Sequence, residues 1–599
     1  MFKLVQELFS LLTTSQKKRF YYLQVLVVIM AFLELIGVVS IAPFMALVGD
    51  PTILQRDNIA SKIYLASGLS SPNDFIYLLG FAVLCTLAFA AIISMYTSWR
   101  LFMFATNVGA EIADRLFGHY LRQNWLFHVM GSTSQLTKKI SNESTRVTNM
   151  VILSLMQMNS RIAVAGLLSL GIFIYNPMVA IVGLSLFATA YLILFQSIRL
   201  RLEQNGNAIS NILAQRYQLM NESFGGIKDA LLLGRTEDFK NSFSEMGKRL
   251  AYSEGTINAI AQVPKYFMEL VAFGTIISLI LYLVKTHQGD LGLILPILSV
   301  YSLAGMKLIP AFQHIYFCIA QIKGNISAFE SIKQDLYDSK EFLVNKFDIQ
   351  SVKSLSPMKS INLENISFTY PGKDELTLNK LNICIQVNSV VGIVGPSGSG
   401  KSTAIDVLLG LIEPQEGKLI VDGYLITDSN RRDWQNAIGF VPQSIFLSEG
   451  TIAENVAFGI PKGLINYDQV GRAVKLAHLD GLVDSLEHGI NTKVGERGVQ
   501  LSGGQRQRIG IARALYHEAN VLIFDEATSA LDGITEKMIM EAIHDFSGQK
   551  TIIMIAHRLK TVEKCDKIFF IDKGQVIDQG TYYELIKTNA QFKNMDSHT

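Results

Sequence analysis

The chain is 599 residues long, which is too long for one hydrophobic core and predicts several domains. Its formal net charge of +2 gives no sign of a nucleic-acid-binding protein, and no nucleic-acid partner is expected. The four cysteines, Cys85, Cys318, Cys384 and Cys565, lie far apart and have no metal-binding or redox spacing.

Residues 1–335 are predicted to form a membrane domain with six spans. The apolar run that begins at Phe20 is too long for a secretory signal and long enough to cross a bilayer. Five further apolar runs follow it. The predicted spans are residues 20–48, 75–99, 150–174, 178–198, 264–285 and 291–320.

The distribution of charge predicts the orientation of this domain. Lysine and arginine are concentrated before the first span and in the long stretches 100–149 and 199–263. The opposite side has little beyond Arg56, Lys62 and Lys285. The positive-inside rule therefore predicts that the N-terminus, both long stretches and the C-terminal half are cytoplasmic. A multi-pass protein of the bacterial inner (plasma) membrane is expected.

The long stretches are predicted to be helical extensions of the spans. Neither contains proline, and Ile112, Leu116 and Tyr120 share one helical face. Residues 224–229 would form the turn at the far tip. Between the first two spans, Asp57 or Asn58 is predicted to cap a short helix that ends near Gly68.

A linker, 336–358, precedes a second domain, 359–599, which contains a phosphate-binding loop. Residues 361–370 and 381–394 are predicted strands, and the second leads directly into a glycine-rich loop that opens a helix. In this context backbone N–H groups close on phosphates, and the helix N-terminus favours anions. Lys401 is expected to reach the β- and γ-phosphates, and Ser402 to bind Mg²⁺. The predicted nucleotide-binding residues of the loop are Gly395, Ser397, Gly398, Gly400, Lys401, Ser402 and Thr403.

A buried-strand pattern, Val521–Asp525, ends in two acidic residues. Asp525 is predicted to hold Mg²⁺, directly or through water. Glu526 follows at once and is the candidate base that polarises the attacking water. ATP and Mg²⁺ are the expected cofactors.

About a hundred residues after the glycine-rich loop the chain reads Leu501-Ser502-Gly503-Gly504-Gln505. With that loop, this motif makes the chain resemble ATP-binding-cassette (ABC) ATPases. In that family the second motif caps the ATP held by a facing cassette. The resemblance implies that Ser502, Gly503, Gly504 and Gln505 contact a partner's nucleotide. One set of motifs per chain favours a homodimer, and a heterodimer with another half-transporter stays open.

The same resemblance assigns further residues. Tyr370 matches the aromatic that stacks on adenine, and Gln443 matches the Q-loop glutamine that touches Mg²⁺ and the membrane half. Asp532 matches the D-loop, and His557 the switch histidine near the γ-phosphate. The expected catalytic residues are Glu526, His557 and Gln443, and the expected metal ligands are Ser402, Gln443 and Asp525.

Residues 492–498 resemble the X-loop of ABC exporters, which importers lack. The chain is thus similar to a type IV ABC exporter half-transporter, an ATP hydrolase coupled to transport. The implied fold is a six-span membrane α-helical domain of the ABC exporter type, fused to an α/β P-loop ABC ATPase domain. In that fold the tips of the long loops are coupling helices that dock on the ATPase domains.

Ionisable residues in the predicted spans suggest a substrate site, because charges inside a membrane are costly. Lys265 and Lys307 are the candidate substrate contacts, suited to a phosphate or diphosphate headgroup, with Arg161 nearer the middle of its span. The alternatives are internal pairing, for example with Glu34 or Glu269, and snorkelling to the interface.

Short sequence patches in the membrane domain narrow the class of expected substrate. Residues 32–35 with 43–44, 264–269 and 307–310 resemble stretches of PglK-type lipid-linked oligosaccharide flippases, which also carry a short external helix. The resemblance implies ATP-driven export or flipping of a lipid-linked oligosaccharide or related glycolipid among the membrane lipids. One alternative is an exporter of lipid A-like lipids or hydrophobic drugs. Another is an ATP-gated, non-transporting ABC protein.

Overall fold

The chain forms two compact units in the computed structural model, which describes residues 2–49, 51–55, 59–69, 71–175, 177–286, 291–344, 353–495, 498, 501–526, 533, 536–537, 540, 546–556 and 558–597. The helical unit comprises Met1–Gln123 and Met130–Lys346. The sheet unit comprises Asn124–Val129 and Phe347–Thr599.

Long helices dominate the first part of the chain. In chain order they are α1 (Phe2–Leu11), α2 (Thr14–Val39), α3 (Ile41–Gly49), α4 (Ile59–Ala66), α5 (Pro72–Leu121), α6 (Trp125–Met130), α7 (Thr133–Lys138), α8 (Ser144–Arg146), α9 (Leu153–Tyr175), α10 (Pro177–Gly225), α11 (Ile227–Leu232), α12 (Thr236–Gln262), α13 (Pro264–Thr286) and α14 (Leu291–Val344). Two π-helical segments, Lys139–Glu143 and Val147–Ile152, join α7, α8 and α9 into one continuous rod.

Helices run through all six predicted spans. Within the described residues, four stretches are long and apolar enough to cross a membrane: Thr14–Gly49, Pro72–Leu121, Thr133–Ile174 and Tyr301–Lys340. The first span is interrupted at Ser40, where α2 ends and α3 begins. Pro43 lies in the first turn of α3, where a missing backbone N–H costs no helical hydrogen bond.

The predicted helical extensions are confirmed. Helix α5 continues to Leu121, and α10 and α12 fill the second long stretch up to and beyond its tip. The predicted turn over 224–229 is narrower in the structure: α10 runs to Gly225, only Gly226 is non-helical, and the short helix α11 begins at Ile227. The short helix between the first two spans is α4, whereas its predicted caps, Asp57 and Asn58, lie outside the described residues.

Glycines allow the long helices to approach closely. A Cβ atom at Gly206 of α10 would collide with the carbonyl oxygen of Gly324 on α14. A Cβ at Gly324 would in turn meet Ile257 of α12. Because no side chain separates α10 from α14 at this point, their backbones touch directly, as in other close helix crossings built on small residues.

A buried ionic network fixes the π-helical rod to its neighbours. The fully buried Glu143 carboxylate lies 3.3 Å from Lys138 Nζ and 2.9 Å from an Arg146 guanidinium nitrogen. Arg146 also donates to Ser210 Oγ on α10 at 2.8 Å and to Asn325 Oδ1 on α14 at 3.2 Å. One carboxylate therefore compensates two cations at the point where three helices meet.

The sheet unit contains two sheets. Its strands are β1 (Ser360–Phe368), β2 (Leu378–Gln386), β3 (Val390–Val394), β4 (Glu416–Val421), β5 (Tyr424–Leu425), β6 (Ile438–Val441), β7 (Val521–Asp525), β8 (Thr551–Ile555), β9 (Lys567–Asp572) and β10 (Gln575–Gly580). The antiparallel sheet has the order β2-β1-β4-β5, and the larger sheet has the order β10-β9-β3-β8-β7-β6, parallel except for β10. The described helices of this unit after α6 are α15 (Lys401–Leu408), α16 (Arg431–Gln435), α17 (Ile452–Val456), α18 (Tyr467–Leu476), α19 (Asp480–Ser485), α20 (Gly503–Tyr516), α21 (Tyr582–Thr588) and α22 (Ala590–Ser597).

The central parallel strands are covered on both faces. Alternate residues of β7 belong to two different apolar clusters, with Leu522 and Phe524 in one and Val521 and Ile523 in the other. A strand buried on both faces reads as a continuous apolar run, which is the pattern that predicts β7 from the sequence.

The prediction of one strand over 381–394 is wrong. The chain forms β2 and β3 there, and these belong to different sheets. Asn388 lies between them with a φ of 60°, a left-handed conformation that asparagine tolerates better than most residues and that ends a strand. Helix α14 also extends to Val344, into the range 336–358 that is predicted as linker.

Candidate active site

The glycine-rich loop follows β3 and leads into α15. Gly395, Gly398 and Gly400 have φ angles of 155°, 80° and 100°, which residues with a Cβ rarely adopt. At Gly395 and Gly400 a Cβ would also collide with the carbonyl oxygens of Ile571 and Thr377. The loop therefore needs glycine for both conformation and space, and it delivers the free N–H groups of the first turn of α15 to one edge of the sheet.

Lys401 is held at the centre of this loop. Its Nζ donates to the carbonyl oxygens of Gly395 at 2.9 Å and Pro396 at 2.8 Å. Burial lowers the pKa of Lys401, while the nearby Glu526 and Asp525 carboxylates act to raise it. The ammonium thus contacts the loop, where the sequence predicts the phosphates, and is under the electrostatic influence of the two acidic residues.

Ser399 is a residue of the loop that the sequence analysis did not single out. Its hydroxyl is buried and has no hydrogen-bond partner among the described residues. Its backbone is braced by the turn after β9, because the Gly574 N–H donates to the Ser399 carbonyl at 2.9 Å. A buried hydroxyl without a partner is costly, so this loop is suited to a ligand rich in acceptor oxygens, such as a nucleotide phosphate.

Tyr370 lies beside the first turn of α15. Its hydroxyl is 3.3 Å from Thr403 Oγ1, and its ring packs edge-on against Phe368 with ring centroids 5.1 Å apart. Lys373 Nζ lies 5.9 Å from the centre of the Tyr370 ring. The structure thus brings Tyr370 to the phosphate-binding loop, and its stacking on adenine remains a prediction.

The predicted base and the Q-loop glutamine are in contact. Gln443 donates through Nε2 to Glu526 Oε2 at 2.6 Å. The contact follows from the sheet order, because β6 and β7 are parallel neighbours and these residues follow their ends. Glu526 has a φ of 49°, which is rare outside glycine and typical of backbone strain at functional positions.

The donor set around these residues fits Mg²⁺. Among the described residues there is no cluster of three or more His, Cys, Asp and Glu that could enclose a metal on its own. Magnesium in nucleotide sites is usually held by one or two side chains together with phosphates and water. The Ser402 hydroxyl, the Asp525 carboxylate and the Gln443 amide oxygen are the hard oxygen donors that it prefers.

Several predicted residues lie outside the described part of the chain: Asp532, His557, and Glu496 and Arg497 of the X-loop. Strand β8, which leads towards His557, lies between β3 and β7. The Ala556 N–H donates to the Ile393 carbonyl at 3.3 Å. The role of His557 stays a prediction, as does that of Asp532.

The Leu501–Gln505 motif begins helix α20. The Gln505 N–H donates to Ser502 Oγ at 3.2 Å, and the Ser502 N–H donates to Gln505 Oε1 at 2.8 Å. This reciprocal capping box starts the helix at Gly503 and leaves Ser502 exposed at its N-terminus. The motif is thus an exposed helix N-terminus, which is suited to binding an anion.

The stem of the predicted X-loop is tied to the segment that follows Gln443. The Ile452 N–H donates to the Thr492 carbonyl at 3.0 Å, and the Val494 N–H donates to the Gly450 carbonyl at 3.1 Å. These two hydrogen bonds connect the stem to the start of α17.

The short helix α6 belongs to the sheet unit, although it comes from the first long loop. Trp125 Nε1 donates to Asp406 Oδ2 of α15 at 3.4 Å, and Leu126 packs against one of the two apolar clusters. Burial raises the pKa of Asp406 to about 6, with the Trp125 hydrogen bond acting to lower it and the Asp525 charge to raise it. Helix α6 therefore contacts the helix that begins with Lys401, and its role as a coupling helix stays a prediction.

We expect replacement of Asp406 by asparagine to stabilise the protein in a pH-dependent way. Because the folded pKa of about 6 lies above the usual value of 3.8, the native state binds this proton more tightly than the unfolded state. The stability due to Asp406 is therefore present at low pH and is lost as the pH rises through 6. The melting temperature of Asp406→Asn should exceed that of the parent protein by about 2–4 °C near pH 8, and the difference should shrink as the pH falls below 6 and close at about pH 4.

The matched control for this measurement is Asp374→Asn, which replaces an exposed aspartate of the same unit. It should give no pH-dependent difference in melting temperature. A constant difference for Asp406→Asn across the pH range would contradict the assigned titration.

Comparisons with known proteins agree with this geometry. The family model described as the ABC transporter transmembrane region matches residues 51–308, and the model described as ABC transporter matches residues 378–529. An ATP-dependent lipid A-core flippase of Ralstonia nicotianae is 30% identical over 406 residues, 67% of each chain. One of Mannheimia succiniciproducens is 28% identical over 589 residues, 93% of this chain and 95% of the relative.

A solved structure has the same fold. A bacterial Atm1-family ABC exporter with ATP bound superposes with a TM-score of 0.79 and 22% identity, covering 98% of this chain and 99% of that one. The chain therefore belongs to the ABC transporter family, with the fold of an ABC exporter and an ATPase domain whose hydrolysis of ATP is coupled to transport.

Proposed function

We propose that this exporter flips a phosphorylated glycolipid, with a lipid-linked oligosaccharide as the first candidate. The observation that carries the substrate class is a set of ionisable side chains on helices that run through predicted spans. Arg161 of α9 is exposed, and in the described part of the chain it forms no hydrogen bond or ion pair. A cation of this kind inside a span is suited to an anionic headgroup in the transport path.

The two lysines predicted to bind substrate lie near acidic partners. Lys307 Nζ of α14 is 3.6 Å from Glu34 Oε2 of α2, and Ser94 Oγ donates to the other Glu34 oxygen at 3.0 Å. Lys265 Nζ is 3.8 Å from Glu269 Oε1, one turn along α13. In this structure both lysines are thus paired internally, which is the alternative to substrate binding. Lys307 and Lys265 remain about half exposed, so both could still bind a headgroup.

A lipid A-core glycolipid is the second candidate. The relatives from Ralstonia and Mannheimia are described as flippases of this lipid. Both candidates share a phosphorylated sugar headgroup and hydrocarbon chains, and the cations in the spans suit either. The short patches around Glu34, Lys265 and Lys307 favour the lipid-linked oligosaccharide.

The proposed working form is a homodimer. One chain carries one glycine-rich loop and one Leu501–Gln505 motif, so two chains facing head to tail complete two ATP sites. The tip around α11 supports a pair, because Phe224, Leu231, Leu232 and Leu233 are each more than 60% exposed. An exposed apolar tip of this kind marks an interaction site, and we propose that it binds the ATPase domain of a second copy.

In this arrangement the residues of the ATP site have separate roles in hydrolysis. Mg²⁺ held by Ser402, Asp525 and Gln443 would neutralise charge on the phosphates. Lys401 orients the phosphates, and Glu526 takes the proton from the attacking water. Gln443 touches Glu526, so movement at the Q-loop changes the position of the base. We place the N-terminus and both long loops in the cytoplasm of a bacterium, with the spans in its inner membrane.

The experiment that tests this proposal reconstitutes the purified protein in liposomes. Fluorescent polyprenyl-diphosphate oligosaccharide and a lipid A-core glycolipid are each supplied in one leaflet, and their appearance in the other is followed with ATP. ATP-dependent movement of either lipid supports the proposal and selects between the candidates. ATP hydrolysis without movement of either lipid would contradict it.

We expect the combined variant Lys265→Ala/Lys307→Ala to slow movement of the diphosphate lipid by about tenfold or more, while basal ATP hydrolysis changes little. Each lost cation removes one charge-assisted contact with the headgroup. The control is Lys240→Ala/Lys248→Ala, which removes two lysines from α12. Unchanged lipid movement in the first variant would exclude these lysines from the substrate path.

A further inference from the structure

A second group of cationic side chains lies on helices other than those that carry the candidate substrate residues. A cavity of about 550 Å³ opens between the start of α2 and the middle of α5. Lys18 and Arg19 line it from α2, and Arg100 lines it from α5, with Asn107 beside them. The cations of the proposed transport path are on α9, α13 and α14 instead, so the two sets are separate.

The charges around this cavity are unbalanced. In the described part of the chain, the side chains of Lys18, Arg19 and Arg100 form no ion pair or hydrogen bond. The one acidic group in the lining, Glu111, accepts a hydrogen bond from Gln16 Nε2 at 2.6 Å. The cavity thus presents three cations, and its only carboxylate is already engaged by a neighbour, which favours an anionic ligand.

The position of these cations along their helices points to a lipid headgroup. Arg19 directly precedes the apolar run that begins at Phe20, and Arg100 directly follows the predicted span 75–99. Both therefore mark the same edge of the hydrocarbon layer. Tyr96, one turn before Arg100, and Trp99, directly before it, are exposed, and aromatic residues of these types favour the membrane interface.

Apolar surface continues from the cavity in two directions. Tyr22, Val25 and Ile29 of α2 are exposed at helical spacing on the membrane side. A neighbouring cavity of about 210 Å³, with a mostly apolar lining, shares Phe104 and Val108 with the first. A free phosphate would use the cations only, whereas a lipid would use both the cations and the adjoining apolar surface.

We propose that this cavity binds an anionic phospholipid of the cytoplasmic leaflet through Lys18, Arg19 and Arg100. The assignment to that leaflet rests on the proposed orientation, whereas the binding itself does not. The lipid phosphate lies against the three cations, and its hydrocarbon chains lie along the apolar surface of α2. The occupant is a lipid of the bilayer, bound separately from the transported glycolipid.

The test counts lipids bound to the full-length protein in detergent by native mass spectrometry. Phosphatidylglycerol is titrated against phosphatidylcholine of the same chains. We expect the parent protein to prefer phosphatidylglycerol and Arg19→Ala/Arg100→Ala to bind it about tenfold more weakly. The matched control is Arg199→Ala/Arg201→Ala, which removes two exposed arginines where the fourth predicted span ends, and it should bind as the parent does.

Two further measurements test whether the cationic charge and the lipid chains are both needed for binding. Arg19→Lys/Arg100→Lys keeps the charge and should restore binding, which excludes misfolding as the cause of a loss. Soluble glycerol 3-phosphate should not displace the lipid, and displacement would indicate a free-phosphate site. Equal losses in the Arg199→Ala/Arg201→Ala control would overturn the proposal in favour of general surface attraction. Because the measurement needs neither ATP nor transport, its failure would leave the proposed transport function untouched.

Discussion

Replacement of Glu526 by glutamine should lower ATP turnover by about 100-fold or more while ATP binding is retained. The amide keeps the size of the side chain but cannot take a proton from water. The geometry makes this position hard to replace, because the strained backbone at Glu526 and the 2.6 Å contact with Gln443 fix one carboxylate near Lys401. Steady-state phosphate release and equilibrium binding of ATP in the same preparation measure the two effects.

A second variant distinguishes the role of the Glu526 carboxylate from that of its contact with Gln443. Gln443→Ala removes the contact with Glu526 but leaves the carboxylate, so it should reduce turnover less than Glu526→Gln does. Parent-like hydrolysis by Glu526→Gln would mean that another group acts as the base. Loss of ATP binding in that variant would instead give Glu526 a structural role.

Replacement of Glu143 by glutamine should destabilise the helical unit by about 3 kcal/mol or more. The carboxylate is fully buried and is paired with both Lys138 and Arg146. Without its charge, two buried cations lose their ion-pair partner at the junction of the π-helical rod with α10 and α14. The melting temperature of the detergent-solubilised protein should fall by several degrees, and proteolysis at the long loops should accelerate.

The control for this prediction is Glu237→Gln, which breaks an ion pair with Lys240 on the surface of α12. The side chains of this pair are 68% and 71% exposed, so water already screens their interaction. This variant should melt as the parent protein does. If both variants lowered the melting temperature equally, burial would not be the source of the effect.

Local sequence patterns predict most of the helical unit. Apolar runs and the absence of proline give the spans and their extensions, and Gly225 with Gly226 gives the tip. The π-helical segments cannot be predicted from local patterns, because the wider turn of a π-helix does not require any particular type of residue. The division of 381–394 into two strands was missed because only three residues, 387–389, separate β2 from β3, and the turn depends on the left-handed conformation of Asn388.

The active site is predictable to the extent that its residues are adjacent in sequence. Lys401, Asp525 and Glu526 follow from short motifs. The contact between Trp125 and Asp406 joins residues far apart in the chain, and no local pattern predicts such a pair. The partner of Lys307 is equally unpredictable from local patterns: the sequence offers both Glu34 and Glu269, and the fold determines that Glu34 is in reach.

The capping box at Ser502 has a consequence for recognition. Its oxygen already accepts a hydrogen bond from the Gln505 N–H, so the hydroxyl proton stays available to an external acceptor. Aspartate would begin α20 equally well, but its negative charge would repel a phosphate. The Ser502 hydroxyl can therefore cap this helix through its oxygen and donate its hydrogen to an anion at the same time. The chemistry that ends a loop in one chain also sets the polarity of the surface it offers to another molecule.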